Sequence, residues 1–389
     1  MAKKNRTVFN FLLVLVVIIA LEVVGWIAIH YKPDYEPVRK ILIGEESFIG
    51  LQNMISQPYL LFVPSPNLHK WGYDQNNEFA FRGKSVPLIK EDSVYRILFM
   101  GGSTTYTNNV NDPDSSFPAQ VGHLLDYELQ NERFPKSIKR IEAMNAGLSW
   151  GTSAEIMIHY FLKFRYFNAD LVVIHTGGND AYTHFLGGAY QPDYFHFRKT
   201  MNDIQPVAKP FRWLFKSRLF SFFLISIFQD DLVKGGQFVH RGDRTRVRWF
   251  DPKKPENDPI AHIEFNAFYN NLSTTIREMK HDGAKLLIVP FIGNWDHEQY
   301  TDTILQMHHW YTDLLNKIAV ENDLPVAPLT AEMITDKSQW MDDCHLNEEG
   351  VQIKAEFVSK YIANIVLHND SVVKINNSRN DVANQDTLQ

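Results

Sequence analysis

The chain of 389 residues has a single cysteine, Cys344. No intramolecular disulfide is therefore possible, and a domain outside the cytoplasm would have to stand without such staples. A core of the size this length permits allows that. An excess of positive charge is also lacking. The formal net charge is -6, which argues against a general nucleic-acid binder, because such proteins are usually basic. The last stretch, 369–389, has little apolar content and reads as a disordered tail. Elsewhere the balance of 44% hydrophobic and 22% charged residues is that of an ordinary globular protein. The length fits one large domain with insertions, or two domains.

One long apolar run is present, from Val8 to Ile29, interrupted by Asn10 and Glu22. It matches the ~20 residues that a helix needs to cross a bilayer. Glu22 costs ~2.5–3.5 kcal/mol at depth on insertion scales, which the neighbouring Leu and Val residues can offset. The run is too long for the core of a signal peptide, and no small-x-small cleavage site follows Trp26. It reads as an uncleaved anchor over 8–30, behind a short cytoplasmic segment, 1–7. Lys3, Lys4 and Arg6 precede the span, and Lys32, Arg39 and Lys40 follow it, two of them about ten residues on. The amino terminus adds to the first group, and this modest asymmetry favours an amino terminus in the cytoplasm and an extracytoplasmic body.

Residues 31–91 carry scattered Pro, Gly and Asn without a long period, as expected of a connecting region packed on the main domain. The stretch Asn77 to Gly83 could be extended, and nothing in it points to chemistry. From Tyr95 the pattern becomes regular. Strands are expected at 95–100, 138–144, 171–175, 285–291 and 325–329. Helices are expected at 114–131, 152–166, 260–281, 301–321 and 348–367. The helix at 152–166 is capped by Thr152 or Ser153 with Glu155 in the first turn, and Gly283 stands where a C-cap glycine belongs. Strands alternating with helices imply a doubly wound α/β fold, a mostly parallel sheet covered on both faces.

In such sheets ligands bind outside the carboxyl ends of the strands. Ser103, Gly147 and Asn179 each follow an expected strand, and Asp342 and His345 lie in the last loop before the final helix. Tyr95-Arg-Ile-Leu-Phe-Met-Gly-Gly-Ser-Thr-Thr-Tyr106 is a buried strand, a glycine turn and a serine. A hydroxyl presented there stands clear of the sheet, and the turn's N–H groups can face an oxyanion. Thr104 and Thr105 are candidate helix caps. Gly-Gly-Ser after a strand is more often only a turn, so the serine needs partners. Serine requires a base, and His345 is the candidate. Asp342 is three residues earlier, close enough on a turn to reach Nδ1. Asp343 is a fallback at an awkward reach. Cys344 can be read as a nucleophile, but between those residues it points elsewhere. His308 and His309 are adjacent on a helix, point to different sides, and suggest no metal site.

Four segments in this order, Gly101-Gly102-Ser103-Thr104, Asn145-Ala146-Gly147, Gly177-Gly178-Asn179-Asp180 and Asp342-Asp343-Cys344-His345-Leu346-Asn347, resemble the blocks of the SGNH (GDSL-type) serine hydrolase family. The resemblance covers about 95–180 and 260–367 of a domain at 92–368. One departure is Gly102, where the name-giving motif has Asp. The resemblance implies a triad of Ser103, Asp342 and His345, an oxyanion hole of Ser103, Gly147 and Asn179, an acyl-enzyme, and no metal or organic cofactor. The expected activity is a membrane-anchored serine esterase acting on O-acyl esters, acetyl esters first, of an envelope glycan or lipid. An O-acyltransferase with the same triad, modifying an envelope polysaccharide, is the alternative. A non-catalytic glycan-binding or scaffold protein is a third, which the intact Ser103, Asp342 and His345 argue against. The expected partners are an ester-bearing small molecule, glycan or lipid and the membrane, and no nucleic acid.

An insertion at about 181–258 interrupts the alternation. Its 211–228 segment is dense in aromatics, with Arg212, Lys216 and Arg218 among them. It reads first as a helical subdomain, and otherwise as a lid or as a surface that dips into a membrane. Arg244, Arg246 and Arg248 alternate as on a strand with one basic face, a solvated edge before it is a binding surface. The tripeptide Arg241-Gly242-Asp243 is expected by chance in a loop.

Overall fold

The computed structural model describes residues 2–32, 35–43, 53–60, 62–184, 192–198, 209–235, 266–298 and 300–368. The alternating arginines at 244–248, the tripeptide at 241–243 and the polar stretch 369–389 lie outside them. The chain forms two compact units. The first comprises Met1–Ser65 and Phe197–His240, and the second Pro66–His196 and Arg241–Gln389.

The first unit holds the N-terminal helix Ala2–His30, a short helix Tyr35–Ile43, a 3-10 segment Lys209–Lys216 and a helix Arg218–Gly235. The N-terminal helix includes a span, Val8–His30, long and apolar enough to cross a membrane. The unit's core joins Ile29, Tyr35, Val38, Leu42, Phe215 and Ile225.

The second unit is built on four parallel strands: β1 (Val94–Gly101), β2 (Arg140–Gly147), β3 (Leu171–His175) and β4 (Lys285–Ile288), in the order β2-β1-β3-β4. Around them lie helices α1 (Ser103–Tyr106), α2 (Phe117–Gln130), α3 (Ser153–Leu162), α4 (Gly178–Tyr182), α5 (Ala267–His281), α6 (Asp302–Glu321) and α7 (Glu348–Leu367). Every residue of β1 and β3 is buried, which is why, Arg96 and His175 apart, these strands read as apolar runs rather than alternating ones. The period of two still sorts the side chains between faces. Ile97 and Phe99 join the core under α2 and α7, with Phe117, Val121, Ala355 and Val358. Leu98 and Met100 join the opposite core under α3, α5 and α6, with Ile156, Leu272, Ile276 and Tyr311. The doubly wound α/β expectation is met.

Element ends differ from the expected ones in instructive ways. Helix α5 starts at Ala267, because Asn266 accepts a hydrogen bond from the Tyr269 amide and caps it there. The expected helix at 152–166 ends at Leu162 and continues as a 3-10 turn, Phe164–Phe167. Thr152 caps it in the box arrangement, with Glu155 accepting from the Thr152 amide at 2.7 Å. The expected strand at 325–329 is reduced to a single bridge between Ile288 and Val326. Neither Thr104 nor Thr105 caps α1. Its N-cap is Gly102, without a side-chain hydrogen bond.

Candidate active site

The β1 register aligns Gly101 with Gly147 of β2 and with His175 of β3, so three strand ends finish level. From β1 the chain crosses to β2 on one side, and from β3 it crosses to β4 on the other. The crevice between β1 and β3 is thus the switch point where α/β sheets bind ligands. Ser103 opens α1 at that point, and Asn179 lies in α4 directly beyond β3.

Ser103 and His345 are 242 residues apart, yet Ser103 Oγ lies 2.8 Å from His345 Nε2. On the far side of the ring, Nδ1 is 2.8 and 2.9 Å from the two Asp342 carboxylate oxygens. The three-residue spacing works because Asp342 Oδ1 also accepts the amides of Cys344 (3.0 Å) and His345 (2.8 Å), closing a tight turn that holds the carboxylate against the imidazole. Burial works against ionisation of Asp342, but the hydrogen bonds from the His345 ring and from these amides hold its carboxyl well below the ordinary range. A hydroxyl bonded to an imidazole, itself oriented by an ionised carboxylate, can lose its proton to the ring as it attacks an electrophilic carbon.

The other candidates are sorted by their contacts. Asp343 does not serve as an alternative partner; it accepts from the Tyr182 hydroxyl at 2.7 Å. Cys344 sits with its sulfur 3.5 Å from His345 Nδ1. Burial, and then the Asp343 and Asp342 charges, push its thiol well above the ordinary value, so it stays protonated. Asp342, Cys344 and His345 place ligand-type atoms within 4.8 Å of one another, the one such cluster among the described residues. Nδ1 of that histidine is already engaged by Asp342. His308 is buried and stacked on Phe291, while His309 is exposed, as expected for neighbours on a helix.

Two of the three expected oxyanion donors keep an N–H without an acceptor among the described residues. The Ser103 amide, at the first turn of α1, has no acceptor among the described residues. The Asn179 side-chain amide lies over Gly102, 2.8 Å from where a Cβ at 102 would stand. That amide donates one N–H to the Gly151 carbonyl at 2.8 Å and keeps a second. Gly147 departs from expectation. Its amide donates to Asn145 Oδ1 at 3.1 Å. β2 is an edge strand of the sheet, and there the Gly147 N–H is met by the Asn145 side chain. The lack of a side chain at 147 serves packing, since a Cβ there would overlap the Tyr106 backbone. The glycine that reaches the crevice is Gly151, ahead of the Thr152 cap, and the Gly-Thr pair before α3 was the available signal. Asp180, the last residue of its block, is structural. It accepts from the Ser153 amide and hydroxyl and from Tyr194, tying α3 to α4.

Two supports escaped the sequence. Lys354 of α7 is 2% exposed. Its ammonium donates to the Thr104 carbonyl at 3.2 Å and to His175 Nε2 at 2.9 Å, and lies 4.2 Å above the Phe117 ring. Burial pushes this lysine down to about 7. Burial, then the Lys354 charge, keep His175 neutral, with Nδ1–H donating to the Val289 carbonyl at 3.1 Å. Arg82 donates to the Tyr106, Thr107 and Val110 carbonyls just beyond the serine turn, and its own amide bonds the Asn145 carbonyl. The extended segment that promised no chemistry therefore clamps the serine turn.

The GDSL-like lipase/acylhydrolase family matches residues 99–353, well over half of the chain. The chain belongs to that family and is a serine ester hydrolase. No curated protein matches it in sequence. Similar solved structures include a GDSL-like lipase from Parabacteroides merdae (13% identity, 70% of this chain and 96% of that one, TM-score 0.41). An acetylxylan esterase, Axe2, from Geobacillus stearothermophilus is similar to a comparable degree (15%, 70% and 96%, 0.40). So is a lipase/acylhydrolase from Enterococcus faecalis (14%, 70% and 97%, 0.39).

Proposed function

We propose that Ser103 is the nucleophile, His345 the general base and acid, and Asp342 the residue that orients His345. The hydrogen-bonded line from Ser103 Oγ through His345 to Asp342 is the observation that carries this proposal. Ser103 Oγ bonds to the acyl carbon of an ester as its proton passes to His345 Nε2. The oxyanion is met by the Ser103 amide and the free N–H of Asn179. Collapse breaks the bond to the leaving alkoxide, which takes the proton back from His345 and departs as an alcohol. Water, deprotonated by the same imidazole, then attacks the acyl-serine and releases the acid.

The proposed substrate is a short O-acyl ester, acetyl first, on an envelope glycan or lipid. The apolar Val8–His30 helix supports an anchored enzyme, with its body outside the cytoplasm on the charge asymmetry of the flanks. The test is hydrolysis of p-nitrophenyl acetate by the full chain in detergent, beside Ser103→Ala. Steady turnover that vanishes in the variant is expected. A burst of one equivalent without turnover would redirect the assignment to an acyltransferase awaiting its acceptor. No acylation of a folded protein would remove Ser103 from its role.

A further inference from the structure

Glu22 should be the weak point of the N-terminal span. It lies eight residues before His30, so along a helix it sits ~12 Å inside that end, a depth at which an unsatisfied carboxylate is costly. Its carboxylate is not left unsatisfied. It accepts the Ser217 hydroxyl and, at 2.8 Å, the Arg218 amide. Glu22 thus caps the N-terminus of the Arg218–Gly235 helix, where a negative charge is favoured. Gly25, one turn on, admits that helix at backbone contact, since a Cβ there would overlap Leu219. Ile29 completes the stripe and is buried in the same core as Ile225.

The contact has a geometric consequence. If Val8–His30 spans a bilayer, the second helix starts within the apolar layer, at the depth of Glu22. Its composition fits that place. Ser221 and Ile225 turn inward, while Phe220, Phe223 and Ile227, spaced by three and four, form an exposed apolar stripe. Phe223 is 56% and Ile227 69% exposed, and Phe228 extends the patch. Phe211 and Trp213 are exposed in the preceding 3-10 segment, aromatic side chains of the kind found at membrane interfaces. The Arg218–Phe228 part is apolar apart from Arg218, Ser221 and Ser226, a composition that belongs in a core or in lipid, and only one side of it is in the core.

We propose that the Arg218–Phe228 helix is a second membrane element, docked on the anchor through Glu22 and Gly25 and immersed in one leaflet, with Phe220 and Phe223 facing acyl chains and Ile227 at the headgroup end of the span. This rests on the anchor reading of the N-terminal helix. The pair would fix the rotation of the first unit about the anchor axis, which a single helix leaves free.

The experiment uses the full chain carrying Cys344→Ser, with one new cysteine at a time: Leu15→Cys, Phe223→Cys, Ile227→Cys or Tyr127→Cys. Each is labelled with an environment-sensitive fluorophore and reconstituted into phosphatidylcholine–phosphatidylglycerol vesicles, with or without acyl-chain nitroxide lipids. The expected result is quenching at 223 comparable to that at 15, weaker quenching at 227, and none at 127. Quenching at 15 alone would overturn the proposal and leave the anchor standing. No quenching at 15 would overturn the anchor and the proposal together. Labels at 223 and 227 that are shielded from water yet unquenched would mean that protein covers the stripe, a second copy or another segment, and would also overturn it.

Discussion

Gly102 is the position where residue identity and chemistry meet most directly. The family's motif would carry Asp there, but a Cβ would stand 2.8 Å from the Asn179 amide nitrogen. The obstructing atom is the end of a flexible side chain, so Gly102→Ala should cost little stability. The displaced amide should lower kcat by up to ~10²-fold, the scale of one lost oxyanion donor. Thermal melting beside acetyl-ester kinetics would separate the two effects, and an unchanged kcat would remove Asn179 from the oxyanion site. Asp342→Asn keeps the turn's shape but removes the charge that orients His345. It should lower kcat by ~10⁴-fold with little change in KM. A fall of only a few-fold would assign the orienting role elsewhere. Both residues were legible in the sequence because their chemistry is local: a glycine turn after a strand, and a carboxylate three residues from a histidine. Gly147 was misjudged, because the direction of an amide in an edge strand depends on which neighbour the strand acquires.

At the scale of elements, the serine turn is held from outside. Arg82 reaches three carbonyls, that of Tyr106 at the end of α1 and those of Thr107 and Val110 beyond it. Arg82→Leu would leave several buried acceptors unpaired at ~1–3 kcal/mol each. A shift of the urea midpoint to lower concentration is expected, together with a fall in kcat as α1 loosens. Loss of stability alone, with kcat intact in the folded fraction, would confine Arg82 to a structural role. Nothing in the run Asn77 to Gly83 advertises this, since an arginine in an irregular segment is ordinarily solvated and its carbonyl partners come from residues 24 to 28 positions away. The strand at 325–329 fails for a related reason. Its apolar residues suit either a strand or a buried loop, and pairing with β4 decides between them.

For the molecule as a whole, Lys354 links α7 to α1, α2 and β3 through Thr104, Phe117 and His175. Folding holds its amine at about 7, well under the ordinary lysine value near 10.5. Between those values the unfolded chain binds the extra proton, so stability rises with pH, by at most ~1.4 kcal/mol per pH unit. Below about 7 both states are charged, and this contribution to the slope vanishes. Melting curves from pH 7 to 10 should therefore diverge between the native chain and Lys354→Met, the native chain gaining relative stability as pH rises. Parallel curves would refute the coupling.

Taken alone, the sequence determined the alternation of strands and helices, the apolar N-terminal span, three blocks at strand ends and a fourth before the last helix. These depend on periodicity, length and turn chemistry within a few residues. Tertiary structure decided what depends on distant partners. It brought His345 to Ser103 and turned Gly147 away. It placed Lys354 and Arg82 behind the serine turn, and it gave Glu22 a helix N-terminus to cap. Each of these is a polar group whose cost or use is set by what surrounds it after burial. A one-dimensional pattern records that a residue is polar, but not which donor or acceptor will face it.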